Sequence, residues 1–277
     1  MKYRIVADSS SDLRSLSTVE FASAPLKITI DKETFVDDDQ LDLPAMQSAL
    51  RAFKGASHTA CPSPEEWINA FGDADRVFCI TITSTLSGCY NSAMLAAREY
   101  EAAHPGRKVH VIDSLSTGPE MALIAEKIEK LILEKVDFEE IKAKIKDYLS
   151  HTHLSFILQS VRNLANNGRV NPAVAALVGL LGIRIVGIAS DHGDLQPMSK
   201  NRGDKKGLKA LIENMTQLGY QGGLVRIHHC DNLPSAEAVR DMLLKLFPHA
   251  DIQIGKAGGL CSYYAEDGGL LIGYETV

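Results

Sequence analysis

Residues 76–103 read RVFCITITSTLSGCYNSAMLAAREYEAA, and the fold turns on how the two halves of that stretch join. RVFCITI (76–82) is a short apolar, β-prone run of the kind a sheet buries. YNSAMLAAREYEAA (90–103) repeats its apolar positions at helical spacing. Between them, Thr83, Ser84, Thr85 and Ser87 place four hydroxyls in five positions ahead of Gly88. A buried strand passing through a polar turn into a helix is half of a strand-helix-strand unit, which predicts a parallel sheet covered by helices.

The neighbouring sequence repeats the pattern. YRIVADSS opens the chain as a strand ending in a polar loop, and FASAPLKITI (21–30) and KVHVIDS (108–114) are further apolar β-rich runs. Helical periodicity follows or separates them at 62–72, 120–135 and, with many charges, 136–152. Beyond 150 the pattern changes. LSFILQS (154–160) reads as a strand, VRNLANNG (161–168) as a short helix and NPAVAALVGLLG (171–182) as an apolar helix. RIVGIASDHGDLQPMSK gives two strands around Asp191-His192-Gly193-Asp194, a hairpin signal. Helices at 203–218 and 234–247 alternate with the strands GGLVRIHHC, ADIQIGK and GGLLIGYE. The expected architecture is an N-terminal α/β domain with a parallel sheet over 1–150. An α+β domain with a mainly antiparallel sheet follows over 151–277.

Composition narrows the function classes. The 277 residues are 45% hydrophobic and 23% charged, the balance of an ordinary globular protein. A net charge of −6 argues against a general nucleic-acid or anionic-membrane binder, whose affinity rests on basic surface. The longest apolar stretch, 173–189, is broken by Arg184 and three glycines, so stable membrane insertion is not expected. MKYRIVADSS turns polar too soon for a secretory signal. The five cysteines, at 61, 79, 89, 230 and 261, contain no CxxC and read as reduced thiols. Both observations point to the cytoplasm.

Hydroxyls and acids collect in ADSSSDL (7–13), HTACPSP (58–64), ITSTLSGCY (82–90) and IDSLSTG (112–118). Ligands of open parallel α/β sheets bind beyond the carboxyl ends of the strands. Helix N-termini there favour anions, and hydroxyls beside them donate to a carboxylate or phosphate. The same residues are also the preferred helix caps. Ser63-Pro64 before Glu65-Glu66 has the form of a cap and acidic first turn, and Ser87 before Gly88 has a capping reading too. No Walker A, G-x-G-x-x-G or G-x-S-x-G motif occurs, and the histidines at 151, 153, 228 and 229 have no spacing that selects a metal. DDD (37–39) reads as a solvated loop. Arg169, just past the Asn-Asn-Gly turn, has either a surface role or a place facing the hydroxyls, where arginine suits a carboxylate or phosphate.

The order and spacing of these motifs resemble the DegV family of bacterial fatty-acid-binding proteins along nearly the whole chain. VADSSSDL is similar to its opening motif, and HTACPSP to its T-S-Q-P-S loop. TSTLSGCYNSA resembles S-S-x-L-S-G-T-Y-x-S-A, VIDSLSTG resembles V-I-D-S-x-x-x-S, and the run from LANNGRV to KKGLKAL is similar throughout. The resemblance implies a long-chain fatty acid in an apolar tunnel between the two domains. Its carboxylate would be held by Thr59 and by Ser87-Gly88 of the L-S-G, with Arg169 close by. It implies a carrier without catalysis, presenting the acid to a separate fatty-acid kinase, with no cofactor or metal. Helix 173–182 and strand 183–189 are candidate tunnel walls. Ala60 and Cys61 depart from the family loop, and Tyr264 stands by spacing where many members carry a histidine. The alternative is a phosphotransferase-like enzyme acting on a small anionic substrate, drawing on Asp8, Asp12 or Asp113.

Overall fold

A computed structural model describes residues 1–170, 174 and 182–276. The parallel sheet is present. β1 (Tyr3–Asp8), β2 (Glu20–Ala24), β6 (Arg76–Thr81) and β7 (Lys108–Asp113) pair in the order β2-β1-β6-β7, all parallel. Their apolar runs bury Ile5, Val6, Phe78 and Ile80 completely. Helices α2 (Pro64–Phe71) and α3 (Cys89–Ala103) cover it, together with α4 (Pro119–Leu133) and α5 (Phe138–Tyr148).

FASAPLKITI is not one strand. Pro25 lacks the N–H that a continuous ladder needs, and the run divides into β2 and β3 (Lys27–Ile30). β3 lies between β4 (Glu33–Val36) and β5 (His58–Ala60) in a separate antiparallel sheet. Helix α1 (Leu43–Ala52), capped by Asp42 with Pro44 in its first turn, connects β4 to β5.

The second sheet joins β8 (Thr152–Leu158), β9 (Ile183–Ala189), β10 (Leu195–Arg202), β11 (Leu224–His229), β12 (Asp251–Lys256) and β13 (Leu270–Glu275). Its order is β10-β9-β8-β13-β11-β12. Every pair is antiparallel except β11–β12. The hairpin at 191–194 joins β9 to β10 as the sequence predicts. On the outer face, α7 (Asp204–Gln217) and α8 (Leu233–Leu246) pack on Ile157, Val186 and Ile227. The inner face presents Leu154, Phe156, Leu158 and Leu271. α6 (Arg162–Asn166) and α9 (Gly259–Ala265) lie beside it.

Two helices join the halves. α4 packs against β1 and β6 on one side and against β8, β11 and β13 on the other. Its first turn comes so near β13 that a Cβ on Gly273 would lie 2.5 Å from backbone atoms of Pro119 and Glu120, so only glycine fits. α9 is not apparent in the sequence. Its residues Leu260 and Tyr263 enter the first half's core, while Cys261 and Ala265 face the second sheet. The DDD run is not a solvated loop throughout. Asp37 is fully buried and accepts the N–H groups of Gly259 (3.0 Å) and Leu260 (2.9 Å), capping α9 from the first half. Helix 173–182 lies outside the described residues except for Val174, which is buried, and Gly182.

Candidate functional site

Thr59 sits on β5, opposite Ile28 of β3. Its Oγ1 lies 2.9 Å from the hydroxyl of Tyr264, near the end of α9. Burial raises the Tyr264 pKa, against smaller lowering effects from Thr59 and from the Arg169 charge, so the phenol keeps its proton near neutrality. Ser87 does not cap α3 in the usual way. Gly88 is the N-cap residue and no side chain bonds the first turn from it. Ser87 Oγ instead accepts from the N–H of Cys89 (3.3 Å) and donates to its sulfur (3.2 Å). Arg169 Nε donates to the Leu86 carbonyl (3.3 Å) and Nη1 to the Asn167 carbonyl (2.7 Å), which fixes the guanidinium beside the Leu86-Ser87-Gly88 turn.

These residues line one end of a cavity of ≈ 320 Å³ between the halves of the chain. Thr59, Ser87, Arg169 and Tyr264 are half-buried and Gly88 is exposed. The remaining wall is mainly apolar and buried, with Leu154, Phe156, Leu158 and Leu271 from the second sheet, Leu260 from α9 and Ile82 from the first half. The shape is a polar mouth, beside the N-terminus of a fifteen-residue helix, over an apolar interior.

The acids at the strand ends are engaged elsewhere. Asp8, fully buried and raised to about 6 by desolvation, accepts from the N–H of Ile82 (2.7 Å) and Ser10 (3.1 Å) and from the Ser10 hydroxyl. Asp12 accepts from Gly258 N (2.8 Å) and pairs with His228 Nδ1 (2.7 Å). Asp113 accepts from Ser84 N (3.0 Å) and Leu115 N (3.2 Å). All three organise loops. Among the described residues no group of three ligating side chains is placed to hold a metal ion. No described helix is long and apolar enough to cross a membrane.

A model of the DegV family of uncharacterised proteins matches residues 2–276. The chain belongs to the DegV family. It is 45% identical over 279 residues to a DegV domain-containing protein of Streptococcus pyogenes serotype M1, covering 99% of this chain and 100% of that one. Among solved structures it resembles the Fatty Acid Kinase (Fak) B3 protein of Streptococcus pneumoniae loaded with linoleic acid. That match has a TM-score of 0.98 and 43% identity and covers 100% of both chains. It also resembles a DegV family protein of Eubacterium eligens loaded with heptadecanoic acid, with a TM-score of 0.97, 46% identity, and 99% and 100% of the two chains covered.

In this DegV chain, the five residues singled out from sequence (Thr59, Ser87, Gly88, Arg169 and Tyr264) all border the one cavity. The candidate walls fare differently. From strand 183–189 only Ala189 lines the cavity among the described residues, and the larger share comes from β8. LSFILQS carried the signal in its alternation, since Leu154, Phe156 and Leu158 share one face. Nothing local told which face looked inward. Thr83, Ser116 and Thr117 line the cavity as well, from two of the hydroxyl-rich stretches.

Proposed function

We propose that this chain binds a long-chain fatty acid and carries it to a separate fatty-acid kinase, in the cytoplasm and without catalysis of its own. The observation that carries the reading is the amphipathic cavity, in a chain whose solved relatives hold linoleic and heptadecanoic acids. The carboxylate is assigned to the mouth, where Thr59 and Ser87 supply hydroxyl donors, Gly88 leaves the helix start open and Arg169 supplies charge. Such contacts offset the cost of burying an anion. The acyl chain is assigned to the apolar interior. At roughly 0.8 kcal/mol per buried CH₂, a sixteen-carbon chain contributes about 12 kcal/mol before the costs of ordering and association. Chain burial thus dominates affinity and the mouth sets direction. A cavity of ≈ 320 Å³ falls in the range of small-ligand pockets, roughly 300–1,000 Å³. On this reading residues 1–150 and 151–277 are two domains with the ligand between them.

The carrier role rests on what the mouth lacks. Tyr264 is a hydrogen-bond donor whose phenol stays protonated near neutral pH, so it is no proton shuttle. Asp8, Asp12 and Asp113, the acids a phosphotransferase would draw on, are taken up by backbone amides. The half-buried mouth leaves the carboxylate within reach of a partner's active site.

Native mass spectrometry of the purified protein, with solvent extraction of its cargo, is the test. One fatty acid per chain is expected. A protein that stays free of lipid after incubation with a panel of fatty acids overturns the binding reading. Acyl phosphate formed with ATP alone, with no kinase added, overturns the carrier reading.

A further inference from the structure

On the cavity side of the second sheet, β8 presents Leu154, Phe156 and Leu158. Phe156 faces Gly187 across the β8–β9 pair. A Cβ on Gly187 would stand 2.4 Å from Phe156 Cζ and 2.7 Å from Cε2, so the ring lies directly on the glycine. Gly187 lies outside the left-handed backbone region, and the ring's approach, not backbone freedom, is what calls for glycine here. The next residue of β9 on that face, Ala189, is also small and also lines the cavity. Gly273, across from Leu154 on the other side of β8, is covered instead by the backbone of α4. The Gln196 carbonyl also lies 2.5 Å from that Cβ position, so the ring and backbone together fill the space above Gly187.

We infer that Phe156, packed against Gly187, is the specificity-determining residue that sets how long an acyl chain the cavity accepts. The inference rests on the fatty-acid reading above. The ring lines the cavity, is buried with 3% exposure, and is packed against the backbone of Gly187. The room beside it therefore follows the size of the side chain at this position. A smaller residue deepens the interior next to Gly187 and Ala189, and a larger one must rise into the space the chain would fill, since interiors are close-packed.

The test is a competition on full-length, delipidated protein. Wild type, Phe156→Leu and Phe156→Trp are each offered an equimolar mixture of saturated and cis-monounsaturated fatty acids, and native mass spectrometry reads the bound distribution. Leucine removes three carbons and tryptophan adds three heavy atoms, and both keep the position hydrophobic. The preferred length should rise by about two carbons in the leucine variant and fall by about two in the tryptophan variant. Each shift moves the long-to-short ratio about fifteenfold, from ~0.8 kcal/mol per methylene. If the tryptophan variant does not fold by circular dichroism, the leucine variant decides alone. A wild-type distribution in a folded, lipid-loaded variant overturns the assignment while leaving the binding reading intact. A wild-type protein that takes up no fatty acid overturns the binding reading itself.

Discussion

Thr59 and Tyr264 are 205 positions apart and meet at 2.9 Å. Each hydroxyl has one proton, so whichever donates within the pair has none left for a ligand. On the proposed reading, the chain Tyr264 to Thr59 to carboxylate uses both protons, and Ser87 serves as a second arm by turning its proton from the Cys89 sulfur to the ligand. Removing both arms in Thr59→Ala/Ser87→Ala should weaken fatty-acid binding by a hundredfold or more, at about 1.5–3 kcal/mol per hydrogen bond to a charged group. Tyr264→Phe keeps the ring, which packs edge-on against Tyr263 at 4.8 Å, and loses only the phenol. A drop of about tenfold or less is expected, the worth of a neutral hydrogen bond. Isothermal titration with a single fatty acid measures both, and unchanged affinity in the double variant would remove the carboxylate from this mouth.

At the scale of elements, α9 carries Tyr264 and begins at Gly258-Gly259, residues that provide no cap of their own. The first half caps it. Asp37 binds two of its amides and is itself held by Arg14 Nη2 at 3.0 Å, while Asp12 binds Gly258 N. Asp37→Ala should cost about 1–2 kcal/mol, the worth of a lost cap, since Arg14 keeps Asp39 at 3.6 Å and the residue 37 carbonyl at 3.3 Å, as read by urea denaturation. Asp37→Asn keeps one acceptor and should cost less. If alanine were neutral, α9 would not depend on this cap. Strand-helix alternation was legible at 76–103 because it is local. α9 was not, because GLCSYYA is short and its cap lies more than two hundred residues away.

At the scale of the molecule, α4 is the joint. Arg226 of β11 grips Glu126 of α4 with two bonds, at 2.8 and 2.7 Å, and Thr152 of β8 donates to Glu120 at 2.8 Å. Glu120 is buried, and desolvation raises its pKa to about 7. The folded protein therefore binds this proton more tightly than the unfolded chain, where the value is 4.5. The contribution is intact below pH 4.5 and is lost as pH rises toward 7. The loss reaches up to about 3 kcal/mol, and Asp8 acts in the same direction. Thermal melts across that window should show stability falling on this account, with a shallower fall in Glu120→Gln. Equal slopes would place the proton elsewhere. Saturating fatty acid should add about 2.7 kcal/mol at a hundred times its Kd. No upward shift in melting temperature would count against a site closed by both halves.

The local sequence determined which runs are strands and which are helices, because the two periodicities are properties of a few consecutive residues. It also marked the hydroxyl-rich strand ends, and the order of its motifs carried the resemblance to the DegV family. Only the tertiary structure decided that Pro25 parts one apolar run between two sheets, that Asp37 caps a helix from the other half of the chain, and that β8 turns Leu154, Phe156 and Leu158 into the cavity. It likewise decided that Thr59 and Tyr264 share a hydrogen bond. Each of these depends on which surfaces meet when distant segments bury their apolar faces together. Which surfaces meet is not encoded in any single stretch of residues.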